Sequence, residues 1–349
     1  MTTFFKTIVT ILVLLIFSCT AYYFYDGIYN CQEFIPETSN IFEVGRGQSA
    51  AEVAADLKKE GVIQDPYPLL AYLFVTGEYK EIKSGKYLLS SRMAARDIAA
   101  ALVNGDTAKV NLTFIEGWDL RDMAQYLREK NIGTENSFYA IAGFPGEDYR
   151  ESITPAKEIS SKFDFLKDKP LKAGLEGYLF PDTYQTSTGT DNNEIISLML
   201  ANFGNKLTSQ MKNDISASGK TIYETITMAS IIEKEVKTLT DKKIAAGILW
   251  KRLDSGMPLQ TDASVLYGLK RDSADKIYLK DLQIDSPYNT YLNRGLPLGP
   301  ICNPGIESIK AAIYPVKSDY WYYLSAPDGT TIWSKTLAEH NAAKNQYLK

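Results

Sequence analysis

IFEVGRGQSAAEVAADLKKEGVI, residues 41–63, sets a short extended piece before a glycine turn and then a helical run with Val53, Ala54 and Leu57 on one face. The pattern returns in NLTFIEGWDLRDMAQYLREKNI, residues 111–132, where placing Gly117 on Gly47 also places Ala124 on Ala54 and Leu127 on Leu57. Two copies of strand, turn and helix point to an α+β fold built from small units, because the side-chain period changes from 2 to 3.6 within each copy. Between them SGKYLLSSRMAARDIAAALVNG, residues 84–105, is again strand then helix, with Asn104-Gly105 as the stop. Residues 41–106 therefore read as one small α+β module. Residues 107–172 read as a second strand-helix unit that runs, from Gly146, into a polar, Pro-containing linker.

Toward the N-terminus, IVTILVLLIFSCTAYYFY (residues 8–25) carries no charge and is long enough for a helix to cross about 30 Å of hydrocarbon. Lys6 precedes it and Asp26, Glu33 and Glu37 follow it, which keeps residues 1–7 cytoplasmic and exports the rest across the membrane. The AYYFY end reads as an aromatic interface belt rather than a cleavage site, so a single-helix anchor is expected in place of a removed signal peptide. Cys19 follows a loose lipoprotein-type box that the bulky Phe17 fits poorly. Residues 26–40 are a short stalk. A glycine-turned strand followed by a helix, outside a membrane, resembles LysM-type glycan-binding modules in layout, and a plain spacer is the alternative for residues 41–106.

The 349-residue chain has a net charge of −4 and gives no broad basic footprint, which excludes nucleic acid as the expected partner. Three cysteines form no disulfide framework, and at most Cys31 and Cys302 pair. With a single histidine, His340, which reads as structural, no metal cluster is expected and no cofactor is implied. Residues 173–349 form the larger, mixed α/β domain, with helices expected over 193–209, 221–237 and 241–253 and a buried strand in YWYYLSA, residues 320–326.

Chemistry concentrates in LEGYLFPDTY, residues 175–184. Glu176 lies among Leu175, Tyr178, Leu179 and Phe180, a setting that raises a carboxyl pKa and keeps the acid protonated for donation to a leaving glycosidic oxygen. A capping or pairing role at a domain boundary is the structural alternative. Further segments are MASIIEKEV (228–236), LQTDASVLYGL (259–269) and SPYNTYLNRGLPLGPICNPG (286–305). The last strings hydroxyl, amide and aromatic groups along a loop stiffened by Gly and Pro, partners suited to sugar hydroxyls and N-acetyl groups.

In this order, over residues 40–349, these segments resemble the YceG-like family of endolytic murein transglycosylases. The family's acidic residue followed by Gly, a hydrophobic pair and Pro-Asp-Thr falls on Glu176, Gly177 and Pro181-Asp182-Thr183. Its other blocks fall on Ser230–Glu235, Leu259–Asp262, Ser286–Tyr291 and Gly295–Gly305. The resemblance implies a single-pass membrane enzyme with a LysM-like subdomain, cutting nascent peptidoglycan strands beside cell-wall synthases. Glu176 would be the acid–base residue, with Tyr178, Asp182, Tyr184, Glu233, Tyr288, Asn289, Tyr291 and Asn303 as glycan contacts. A lytic transglycosylase needs one such residue, because the C6 hydroxyl of the same MurNAc is the nucleophile. A hydrolase of the same bond would need a base, from Asp182 or Glu233, and a non-catalytic glycan-binding scaffold would not need the acid. The chain departs from the family pattern at Thr331, where His is common, and at Lys251, where an Asn-Arg-Leu block usually begins.

Overall fold

The structure is a computed structural model that describes residues 2–30, 39–105, 109–151, 162–187, 190–272 and 275–348. The segment 31–38 of the expected stalk, Cys31 within it, and the middle of the expected linker (152–161) lie outside the described residues. The chain forms two compact units, one of residues 1–111 and 185–190, the other of residues 112–184 and 191–349.

The first unit starts with helix α1 (Thr2–Tyr29), whose apolar stretch Phe5–Tyr29 is solvent-facing and long enough to cross a membrane. It outruns the expected residues 8–25 because helical hydrogen bonding continues into the polar flanks. Strand β1 (Ser39–Val44), helices α2 (Ala50–Lys59) and α3 (Tyr67–Thr76), strand β2 (Gly85–Ser90) and helix α4 (Ala95–Asn104) follow. β1 and β2 pair antiparallel with Phe42 opposite Tyr87. Phe42, Val44, Tyr87 and Leu89 point to the core with Val53, Leu57, Leu69, Leu73, Ile98 and Leu102, while Ile41 and Leu88 face out, as a strand period of 2 requires. A capping box between Ser49 and Glu52 starts α2, and Gly105 at φ +79 ends α4. Helix α3 was not expected. Its boundary signals are ordinary ones, Pro66 and Pro68 at the start and Gly77 at φ +78 at the end, but its all-round apolar surface carries no helical period.

Strand β3 (Lys109–Thr113) pairs with β4 (Thr183–Ser187), and their Thr113 and Thr183 hydroxyls meet at 2.9 Å. In the second unit the repeated turn places Gly117 at φ +83, matching Gly47 at φ +78, and leads into α5 (Leu120–Glu129). After α6 (Glu135–Ala142) come α7 (Asn192–Lys206), α8 (Ser209–Ala217), α9 (Ile222–Glu235), α10 (Leu239–Asp254), α11 (Asp262–Gly268) and α12 (Ile306–Ile313). The chain closes with the antiparallel hairpin β5 (Tyr322–Ser325) and β6 (Thr331–Ser334) and helix α13 (Leu337–Tyr347). The YWYYLSA strand is half-buried rather than buried, since the hairpin has no sheet on either side. Helix α9 is the hub: Thr225 to Ile232 are buried without interruption, so α8, α10, α11 and α12 cover it on all sides. A second packing centre joins Phe165, Tyr178 and Phe203.

Candidate active site

Leu175 to Tyr178 form a four-residue turn, with the Tyr178 N–H donating to the Leu175 carbonyl at 3.0 Å. Gly177, third in the turn, has φ +89, a sign that side chains avoid. A Cβ there would lie 2.7 Å from Ile226 Cγ2 and from Pro300 Cβ, so the turn presses against α9 and the Pro-rich loop. The turn projects Glu176 into the second unit's interior, where it is 6% exposed.

Three donors reach its carboxyl group. The Leu120 N–H, at the start of α5, donates to Oε2 at 3.1 Å, and the Tyr267 hydroxyl, near the end of α11, donates to the same oxygen at 2.9 Å. Asn303 Nδ2 donates to Oε1 at 2.9 Å. The Asn303 Oδ1 in turn accepts from the Gly177 and Leu179 N–H groups at 2.9 and 3.0 Å, so one fully buried amide fixes both the turn and the acid. A carboxyl group offers about four lone-pair directions. Three are filled, and the fourth is on Oε1.

Burial pushes the Glu176 carboxyl well above its ordinary range, and the nearby Asp119 charge pushes in the same direction, against the Leu120 and Tyr267 hydrogen bonds and the Arg121 charge. Asp119 is itself the N-cap of α5 and is gripped by Arg121, whose guanidinium lies 5.4 Å over the Tyr267 ring. The cleft in front of Glu176 is lined by Tyr149, Tyr223, Tyr267 and Tyr288, with Leu120, Phe144, Glu147, Gly299 and Pro300. Burial raises all four tyrosines above their usual range, which keeps them as neutral hydroxyls beside aromatic faces.

Of the residues expected from sequence, Glu176, Tyr288 and Asn303 meet here. Asn303 supports the acid rather than facing the cleft. Tyr178 has no open face, being 0% exposed between Phe165 and Phe203. Asp182 accepts from Asn202 at 3.1 Å and pairs with Lys206, and the Tyr184 hydroxyl donates to the Phe180 carbonyl at 2.6 Å, so neither reaches the cleft lining. Glu233 forms a buried ion pair with Lys242 at 3.0 Å and accepts from the Gly305 N–H, tying α9 to α10 and to the loop before α12. Asn289 is fully buried and donates to the Leu282 and Ile284 carbonyls, and Tyr291 donates to Asp262 at a separate hollow. Asp119, Leu120 and Tyr267 were not singled out; Asp119 alone left a trace in the sequence, as a helix N-cap signal.

Among the described residues Cys302 is a free, buried thiol donating to the Ser230 carbonyl. Thr331 donates to Asp241 at 3.3 Å, and Lys251 donates to the Ser318 carbonyl at 2.9 Å, so both side chains are engaged in structural hydrogen bonds. Among the described residues no His, Cys, Asp and Glu group could hold a metal ion.

A family model described as YceG-like family matches residues 42–346. An endolytic murein transglycosylase of Bacillus subtilis is 34% identical over 313 residues, covering 89% of this chain and 85% of that one. A protein of the same name from Streptococcus pneumoniae is 29% identical over 88% of this chain and 56% of its own. The crystal structure of a yceG-like protein of Listeria monocytogenes superposes with a TM-score of 0.57 at 31% identity, covering 88% of this chain and 100% of that one.

Proposed function

This chain belongs to the YceG-like family, and from that premise we propose that it cleaves peptidoglycan glycan strands as an endolytic murein transglycosylase with Glu176 as its acid–base residue. The observation that carries the assignment is a buried carboxyl group, its pKa pushed up by that burial, at the floor of a tyrosine-lined cleft, with its one unfilled lone-pair direction on Oε1. Glu176 gives its proton to the oxygen bridging MurNAc and GlcNAc as the C1–O bond breaks. The carboxylate left behind is stabilised by the Leu120 N–H, the Tyr267 hydroxyl and Asn303, then takes the proton of the same MurNAc C6 hydroxyl as that oxygen bonds to C1. The product end is a 1,6-anhydro sugar. An internal nucleophile reaches effective molarities on the order of 10⁵ M or more, so no second carboxylate has to activate water.

A hydrolase would need that second group. Asp182 and Glu233 are both held in other ion pairs, and Asp119 is clasped by Arg121, which supports the internal nucleophile. To test it, wild type and Glu176→Gln are incubated with purified glycan strands and the new ends weighed. Wild-type ends lighter than hydrolysis products by one water, absent with Glu176→Gln, support the reading. Reducing ends from wild type would make the enzyme a hydrolase.

For the first unit, the reading is a LysM-like glycan-binding module over residues 41–106. What supports it is the antiparallel β1–β2 pair packed on α2, α3 and α4, and a hollow beside the Gly47 turn that offers Arg46, Gln48, Tyr79 and Lys80. Helix α1, with Lys6 before its apolar core and Asp26 near its end, supports an inner-membrane anchor with a cytoplasmic N-terminus. Such a tether holds the cleft beside newly made strands, the reason to expect cell-wall synthases as partners.

A further inference from the structure

Helix α11 connects the Glu176 cleft to two other hollows. Tyr267 lines both the cleft and a neighbouring charged hollow that also contains Ala263, while Asp262, at the first residue of the same helix, lines a larger cavity of about 610 Å³. Asp262 and Tyr267 lie five positions apart on the helix, a rise of roughly 7.5 Å. Three segments singled out in the sequence and not used by the acid, around Glu235, Gln260–Asp262 and Tyr291, converge on this cavity.

Its charged groups are hydrogen-bonded to neutral partners. Arg252 is 6% exposed, and its Nε and Nη1 donate only to backbone carbonyls, of Trp321 and Leu259, each at 2.8 Å. Its guanidinium lies 5.1 Å over the Tyr322 ring, which stacks on His340. Among the described residues it forms no ion pair within 4.0 Å, although its charge is near enough to Glu235 to favour that group's carboxylate form. The cavity's acids are engaged by phenols instead: Asp262 accepts from the Tyr291 hydroxyl at 2.5 Å, and Glu235 is bonded to Tyr323. A buried guanidinium without an ion pair is costly unless a carboxylate arrives to pair with it. Planar bidentate pairing makes a carboxylate its natural ligand. Opposite charges lining one cavity but bonded to neutral groups fit a ligand that itself carries both signs.

We infer that this cavity binds the stem peptide borne by the glycan substrate, a short zwitterionic peptide, with a peptide carboxylate on Arg252 and its side-chain amine on Asp262. The assignment rests on the proposed function and adds a peptide subsite, in line with the acid along α11. The probe is a soluble stem tripeptide ending in a diamino acid, titrated calorimetrically into the full chain in detergent. Saturable binding to wild type, weakened at least tenfold in Asp262→Asn and in Arg252→Met, is expected. Asp262 is exposed, so Asp262→Asn keeps the test open should Arg252→Met fail to fold. Strands stripped of peptides should show a raised KM with unchanged kcat, and Asp262→Asn should erase the difference between bare and peptide-bearing strands. No tripeptide binding, equal binding by wild type and Asp262→Asn, or equal KM for the two strands overturns the inference. Glu176→Gln should bind the tripeptide as wild type does; if that variant still cut strands, the acid assignment would fail while the titration still decided the peptide site.

Discussion

Glu176 sits between opposed influences of similar kind. Burial and the Asp119 charge favour its protonated form, while the Leu120 N–H, the Tyr267 hydroxyl and the Arg121 charge favour the carboxylate. Replacing it with Gln keeps the shape and removes the proton, so cleavage should fall by about 10²–10⁴-fold, measured as anhydro ends formed per enzyme. The two neighbours should move the pH profile in opposite directions. Tyr267→Phe removes a bond to the carboxylate, raises the acid's pKa and shifts the basic limb of kcat/KM to higher pH. Asp119→Asn keeps the helix cap but removes the charge, lowers that pKa and shifts the limb to lower pH. Shifts in one direction for both would refute the electrostatic account. The burial of Glu176 was legible in LEGYLFPDTY because its apolar neighbours are local. Its regulators were not, since Leu120 and Tyr267 stand 56 and 91 residues away in the chain.

Among the elements, the Leu175–Tyr178 turn is the most tightly fixed, by Gly177 against Pro300 and Ile226 and by Asn303 beneath it. Gly177→Ala should cost about 1–3 kcal/mol of stability through overpacking, read by chemical denaturation. The same change should lower kcat by on the order of 10²-fold, because an acid displaced by even 1 Å loses its alignment with the bridging oxygen. A variant as stable and active as wild type would show that the turn tolerates a Cβ. Helix α9 illustrates what a one-dimensional reading misses. SIIEKE suggested a helix with Glu233 facing the substrate. Burial on every side turns Glu233 instead into the partner of Lys242, a pair that holds two helices together. The helix starts were legible, with Ser49 and Glu52, Thr221 and Glu224 each forming capping boxes. Neighbouring chain atoms alone determine such caps.

Across the whole molecule, pH should act on stability through Glu235, whose carboxyl burial pushes up to about 7 from an ordinary 4.5. The unfolded chain then releases this proton at lower pH than the folded one does. Its contribution is complete below about 4.5 and is lost as pH rises through about 7. The melting temperature of wild type should therefore fall relative to Glu235→Gln across that interval. Parallel curves would remove Glu235 from the pH response. The anchor is a second whole-molecule property. Helix α1 should keep the full chain in the membrane fraction through an alkaline wash, and a chain lacking residues 1–29 should become soluble. The chain's division into units follows tertiary contacts rather than the repeat, as the second strand-turn-helix copy lies in the same unit as Glu176.

The sequence by itself determined the membrane-length helix, the α+β alternation, the repeated glycine turn and the buried acid, because each depends on residues within a turn or two of one another. Only the tertiary structure decided which distant groups surround that acid, that Tyr178 and Glu233 serve packing, and that the buried Arg252 donates to backbone carbonyls. Those facts depend on how α5, α9 and α11 pack together, and packing selects neighbours by shape and burial over separations that no local pattern encodes.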